Sequence, residues 1–134
     1  MNIVIDGNDG TGKSTLVNAL KDKGFYVCDR GLPTYLTDHI DTPITEPSLE
    51  VKRGTIFLIL DAPVEVSQSR LLSAGKDITE KYHTLDDLTY YRKKYHDVAD
   101  VLRSRGYLCH LVDASLSSEE VLQKAMSIIG DLNA

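Results

Sequence analysis

Two cysteines in 134 residues, Cys28 and Cys109, exclude a disulfide framework, and their spacing fits no metal-binding pattern. Both fall in apolar, strand-like runs, where a reduced, buried and inert thiol is expected. Long hydrophobic runs are missing too. The longest, Ile56–Leu60, is strand-sized and far short of the roughly 20 residues that cross a bilayer. No targeting segment is read either, so a cytoplasmic protein with no membrane partner is expected. Nor is there an excess of basic residues: 15 Lys and Arg against 20 Asp and Glu leave a net charge of −5. That balance gives no long-range attraction to nucleic acid but leaves a local basic patch open. Repeats and linker-like stretches are also absent. What is present, 42% hydrophobic residues, suffices for one core, so a single domain over residues 1–134 is expected, as a monomer or homodimer.

The most informative segment is Gly7-Asn8-Asp9-Gly10-Thr11-Gly12-Lys13-Ser14, which fills every fixed position of a phosphate-cradling P-loop. Its context fits as well as its letters. The β-branched run Asn2-Ile3-Val4-Ile5 precedes it, and a helical pattern from Ser14 and Thr15 to Leu20, stopped by Gly24, follows it. Gly7, Gly10 and Gly12 permit positive φ, so that successive N–H groups can converge on phosphate oxygens at a helix N-terminus carrying ~0.5 of a positive charge. Lys13 adds a cation for the β/γ oxygens, and the Ser14 hydroxyl can take one Mg²⁺ position. Residues Asn8 to Thr15 are therefore the expected cradle for ATP and Mg²⁺.

Strand-like runs recur at Phe25–Cys28, Thr55–Leu60 and Tyr107–Val112, each closing on a polar group: Asp29-Arg30-Gly31, Asp61-Ala62-Pro63 and Asp113-Ala114-Ser115. Pro63 suits the first turn of a helix that carries Arg70 and runs to about Ala74. Residues 31–54, dotted with Pro33, Pro43 and Pro47, read as an irregular loop that can hold one short helical turn. Its length in so small a chain suggests an acceptor-side function. Residues 75–84 are polar and aperiodic, as in a mobile, lid-like loop. Thr84 and Asp87 then start a helix with an apolar stripe at Leu88, Tyr91, Tyr95, Val98 and Leu102 that Gly106 ends. Ser117 and Glu120 form a capping box for a last helix along Val121, Leu122, Ala125, Ile128 and Ile129. Strands alternating with helices predict an α/β fold: a single P-loop NTPase domain with a parallel sheet of about four strands, helices on both faces and the P-loop at the carboxyl edge. Asp29 and Arg30, at a strand's carboxyl end, face the ligand crevice or else form a surface ion pair. His83 and His96 have no partner that spacing reveals.

In this order, IDGNDGTGKSTL, CDRG, FLILDAPVEVSQSRL and VDASLSSEEV resemble the thymidylate kinase-like branch of the P-loop nucleotide kinases. The resemblance covers most of the chain. It implies that Arg30 binds the acceptor and that Asp29 is linked to Mg²⁺ or accepts a proton. It also implies that Arg70 enters the lid and touches nucleotide phosphates, although a solvated helix residue is the alternative. Asp61 resembles a Walker-B metal carboxylate, or it caps the next helix, with Asp29 the nearer participant. Asp113, Ala114 and Ser115 resemble the loop beside the adenine ring, or a plain turn.

Two departures matter. The chain is short where that family builds its acceptor-enclosing helices, and neither the P-loop nor residues 75–84 contain an arginine. Lys76, Lys81 or Arg92 would have to substitute, and lysine does not reproduce bidentate phosphate recognition. The expected activity is transfer of the γ-phosphate of ATP to a nucleotide-type acceptor, with Lys13, Asp29, Arg30 and Arg70 as catalytic residues and Ser14, Asp29 and Asp61 for the metal. The acceptor is a free deoxynucleoside monophosphate or, alternatively, a hydroxyl on a modified nucleotide within DNA. Tyr90-Tyr91-Arg92-Lys93-Lys94-Tyr95 could track such a strand or merely combine core and solvated faces. A P-loop ATPase or switch without an acceptor is the remaining class.

Overall fold

β1 (Asn2–Gly7), β2 (Tyr26–Asp29), β3 (Thr55–Asp61) and β4 (Leu108–Asp113) pair in parallel in the spatial order β2-β1-β3-β4. They belong to a computed structural model that describes residues 2–39 and 54–132. The two central strands are those with continuous Ile, Val and Leu content, as burial on both faces requires. Register sets Ile3 beside Ile56, Ile5 beside Leu58, and Phe57 beside Cys109.

Among the described residues there are five helices: α1 (Lys13–Asp22), α2 (Leu32–Asp38), α3 (Val64–Ser73), α4 (Leu85–Ser104) and α5 (Ser118–Leu132). The strand period of two divides the apolar residues between the faces. Ile3, Ile5, Ile56, Leu58 and Leu60 pack with Leu16, Val17 and Leu20 of α1 and with Val121, Ala125 and Ile129 of α5. On the other face Phe57, Ile59 and Cys109 pack with Leu36 of α2 and with Tyr95, Val98, Ala99 and Leu102 of α4. The fold is therefore an α/β domain with a four-stranded parallel sheet and helices on both faces, as expected. No helix among the described residues is long and apolar enough to cross a membrane.

The helix starts follow the sequence signals. The Asp87 N–H donates to Thr84 Oγ1 at 3.1 Å, and the Glu120 N–H donates to Ser117 Oγ at 3.2 Å. Pro63 stands one position outside α3, as its N-cap. Two expectations are corrected. Residues 32–38 are not irregular: they form the seven-residue α2, because Pro33 lies in the first turn, where its missing N–H is harmless, and Leu36 is fully buried. The rest of that expectation, residues 40–53, lies outside the described residues. Cys109 is buried as expected, but Cys28 is exposed. β2 is an edge strand, and only Val27 is buried while Tyr26, Cys28 and Asp29 are exposed.

Each strand delivers an aspartate to the carboxyl edge: Asp6 next to the end of β1, then Asp29, Asp61 and Asp113. This is the edge at which ligands enter an open α/β sheet. The loop after β1 lies against α3, where Gly10 adopts φ +80°. A Cβ there would collide with the Ser67 carbonyl oxygen and lie 3.1 Å from Leu71 Cγ. Gly10→Ala should therefore destabilise the fold by about 2 kcal/mol in chemical denaturation. Gly130→Ala, in open space on α5, should stabilise it by up to about 1 kcal/mol.

Candidate active site

The loop Gly7–Gly12 joins β1 directly to α1. Gly12 takes the left-handed conformation as the N-cap of α1 with no side-chain cap bond, and no acidic residue occupies the first turn. The first N–H groups of α1 thus remain available to an anion, as a phosphate cradle requires. Inside the loop the Asn8 carbonyl accepts from Thr11 Oγ1 and from Lys13 Nζ, each at 2.7 Å, and Asn8 Nδ2 donates to the Leu88 carbonyl of α4 at 2.8 Å. Lys13 Nζ also lies 3.7 Å from Asp9 Oδ1. Burial pushes the Lys13 ammonium down to about 8 with help from Arg30, while Asp9, Asp6 and Asp29 oppose the shift.

Asp6 is fully buried beneath this loop. Its carboxylate accepts from the N–H groups of Gly7, Gly31 and Thr34 at 3.2, 3.1 and 3.1 Å, from the Thr34 hydroxyl, and from Tyr95 Oη at 3.2 Å. β1, the start of α2 and the middle of α4 therefore meet on one carboxylate. Arg30 projects from the same junction with φ +61°, its N–H donating to the Ile5 carbonyl at 2.9 Å. Its guanidinium donates to Asp9 Oδ1 at 2.6 Å and to Tyr95 Oη at 3.4 Å, and lies 4.0 Å from Asp6.

Two cavities flank the loop. One, of about 450 Å³, is lined by Gly10, Thr11, Gly12 and Thr15 together with Arg70 and Ala114. Lys76, Leu116 and Ser117 also face it, and Arg70 Nη2 donates to the Leu116 carbonyl at 3.3 Å. The other, of about 350 Å³, opens between Gly7, Asn8 and Asp9 on one side and Arg30, Thr34 and three tyrosines, Tyr82, Tyr91 and Tyr95, on the other. Residues 75–84 reach both cavities, through Lys76 in the first and Tyr82 in the second.

The expected site residues are distributed between these places. Ser14 is exposed at the start of α1, and Asp29 is exposed at the end of the edge strand. Asp61 is engaged elsewhere: Arg92 Nε and Nη2 donate to its two oxygens at 2.9 and 3.2 Å, and His96 Nε2 lies 3.0 Å away. Burial opposes ionisation of Asp61, yet Arg92 and His96 hold its carboxyl below the usual carboxylate range. Asp113 and Ser115 line a third cleft with Asp61 and Arg92, not the cavity of Arg70 and Ala114. Asp113 accepts from Ser115 Oγ at 2.6 Å and from its N–H at 2.9 Å, which hold the Asp113 carboxyl below its ordinary range.

Both histidines have partners that only the fold brings near. His83 Nε2 lies 3.1 Å from Asp9 Oδ2, and its Nδ1 lies 3.1 Å from the Asp77 carbonyl oxygen, while His96 sits beside Asp61. Arg92 is likewise an ion-pair partner of Asp61. In the basic and aromatic cluster Tyr95 is buried, whereas Tyr90 is exposed with Lys94 Nζ 5.5 Å from its ring. Asp6, Thr34 and Tyr95 were missed as site residues. The one available signal was the charge of Asp6 interrupting an apolar strand just before the P-loop.

Fold and loop together define a P-loop nucleotide kinase-like α/β fold. Deoxyadenosine kinase from M. mycoides with bound dCTP superposes with a TM-score of 0.72 at 14% identity, over 98% of this chain and 100% of that one. The same kinase with bound dATP gives 0.71 at 14%, over 97% and 100%. A sugar kinase from Janibacter sp. gives 0.52 at 16%, over 96% and 94%. At such identities the likeness is one of fold. No protein-family model matches the chain. Among curated proteins, bifunctional cordycepin biosynthesis cluster protein 3 of Cordyceps militaris is 30% identical over 113 residues, covering 69% of this chain. The chain spans 13% of that relative's length.

Two predictions follow from the buried charges. A triphosphate held at this loop would require Lys13 in its protonated form, and burial pushes that ammonium down to about 8, so ATP affinity is expected to hold below that pH and fall above it, approaching tenfold per unit. Titration calorimetry in buffers of different ionisation heat should show proton uptake on binding at pH 8. Asp6→Asn replaces one accepting oxygen by a donor that faces other donors, and should cost about 3 kcal/mol in chemical denaturation.

Proposed function

We propose that this chain is an ATP- and Mg²⁺-dependent kinase that moves the γ-phosphate of ATP to a nucleoside- or nucleotide-type acceptor. The observation that carries the reading is the pair of cavities on opposite sides of one phosphate loop. The cavity of Gly10, Thr15, Arg70 and Ala114 would take the donor, and the cavity of Asp9, Arg30 and the tyrosines would take the acceptor. Transfer between two molecules needs such an arrangement, with the transferring group between them, whereas a switch needs the donor side only.

The α1 N-terminus and Lys13 would hold the β- and γ-phosphates. Ser14, with its exposed hydroxyl, would contribute one ligand to a Mg²⁺ otherwise held by phosphate oxygens and water, and Asp29 or Asp61 would act through that water. The metal would neutralise charge on the phosphates during transfer. Arg30 would face the acceptor, and Arg70 would close on the donor. Residues 75–84 would serve as the lid and residues 31–54 as the acceptor-side segment of a single kinase domain. The structural neighbours that are kinases of deoxyadenosine and of sugar support phosphoryl transfer to a small acceptor. A hydroxyl on a nucleotide within DNA is a second reading, favoured by the exposed Tyr90 with Lys94 beside it.

The test is Lys13→Ala with radiolabelled ATP, Mg²⁺ and a panel of nucleosides, nucleoside monophosphates and DNA. Label transfer should fall by at least about 100-fold while far-ultraviolet circular dichroism stays that of the parent. Equal transfer by the variant would remove the P-loop from the chemistry.

A further inference from the structure

We infer that the acceptor is an electrically neutral molecule carrying a hydroxyl, of nucleoside size, and that Asp9 takes the proton from that hydroxyl. This rests on the kinase reading above and names its substrate class. The acceptor-side cavity is lined by two carboxylates, Asp9 and Asp38, and by one guanidinium, that of Arg30, with the buried Asp6 carboxylate 4.0 Å from Arg30. Arg30 is already committed, at 2.6 Å to Asp9 and 4.0 Å to Asp6. A phosphomonoester dianion entering here would displace a paired cation and face like charges on both sides. A hydroxyl is suited to the same wall, since an ionised carboxylate only accepts hydrogen bonds.

The carboxylates are not equivalent. Asp6 is fully buried and takes five hydrogen bonds, so its lone pairs are spoken for. Asp38, the last residue of α2, accepts from Tyr91 Oη at 3.4 Å. Asp9 lies on the loop itself, 3.7 Å from Lys13 Nζ, partly exposed to the cavity and held by Arg30 and His83. It therefore stands beside the γ-phosphate end of the cradle with accepting capacity left over. Tyr82 and Tyr91, with ring centroids 5.3 Å apart, add aromatic faces for a flat ring such as a nucleobase. The volume of about 350 Å³ lies at the small end of ligand sites, which run to about 1,000 Å³.

In the step itself the acceptor oxygen bonds to the γ-phosphorus as the bond from that phosphorus to the β,γ-bridging oxygen breaks. ADP leaves, and the hydroxyl proton passes to the Asp9 carboxylate and then to water.

The experiment offers the eight common ribo- and deoxyribonucleosides, their 5′-monophosphates and DNA separately, with radiolabelled ATP and Mg²⁺. Label should appear on one or more nucleosides, with kcat/KM at least about 100-fold above the corresponding monophosphate. Asp9→Asn should lower kcat by on the order of 100-fold or more while affinity for a non-hydrolysable ATP analogue is kept or improved. Asp38→Asn should narrow the preference for nucleoside over monophosphate. Label on monophosphates or DNA but on no nucleoside overturns the inference and leaves the kinase reading standing. Release of inorganic phosphate with no labelled acceptor overturns both. An Asp9→Asn variant with unchanged kcat removes Asp9 as the proton acceptor.

Discussion

At the carboxyl edge of the sheet, a carboxylate with no solvent exposure takes hydrogen bonds from the start of the phosphate loop, from the two ends of the Gly31–Thr34 turn and from Tyr95 of the long helix α4. Burying a charge is costly unless each lone pair finds a donor, and Asp6 meets that condition. The donors it gathers come from β1, the start of α2 and α4, elements that also share the apolar cluster of Leu36, Tyr95 and Val98. Without it, the exit from β2 into α2 would lose three of its hydrogen bonds, those of the Gly31 N–H, the Thr34 N–H and the Thr34 hydroxyl.

The phosphate loop is held from three further directions. Gly10 rests on the backbone of α3, Asn8 is tied to α4, and Asp9 is gripped by Arg30 and His83. The last contact comes from residues 75–84, which also send Lys76 to one cavity and Tyr82 to the other. This segment therefore touches both cavities and the loop between them, the contacts on which the proposed lid would draw.

The fold was legible because its signals are local: β-branched runs, a Thr84–Asp87 cap, a Ser117–Glu120 capping box and a loop with fixed letters. The site was legible only where it too is local, in Gly7–Ser14. Asp6 was hidden because its importance lies in partners 25 to 89 positions away. His83 and His96 were hidden for the same reason, each paired with an aspartate far off in sequence. Arg92 lay inside a basic run, and only the packing of α4 beside β3 turns it into a bidentate partner for Asp61. Cys28 misled because an apolar neighbourhood says nothing about whether a strand lies at the sheet's edge.

Arg30 occupies a left-handed backbone conformation, for which a residue with a side chain bears about 1 kcal/mol that glycine would not. The hydrogen bonds from its own N–H to Ile5 and from the Gly31 N–H to Asp6 hold it there. The position is thus one where folding alone would favour a different amino acid. Backbone conformation and the guanidinium's contacts therefore make opposite demands on this residue. The strain sits where the guanidinium ties Asp9 of the loop to Tyr95 of α4.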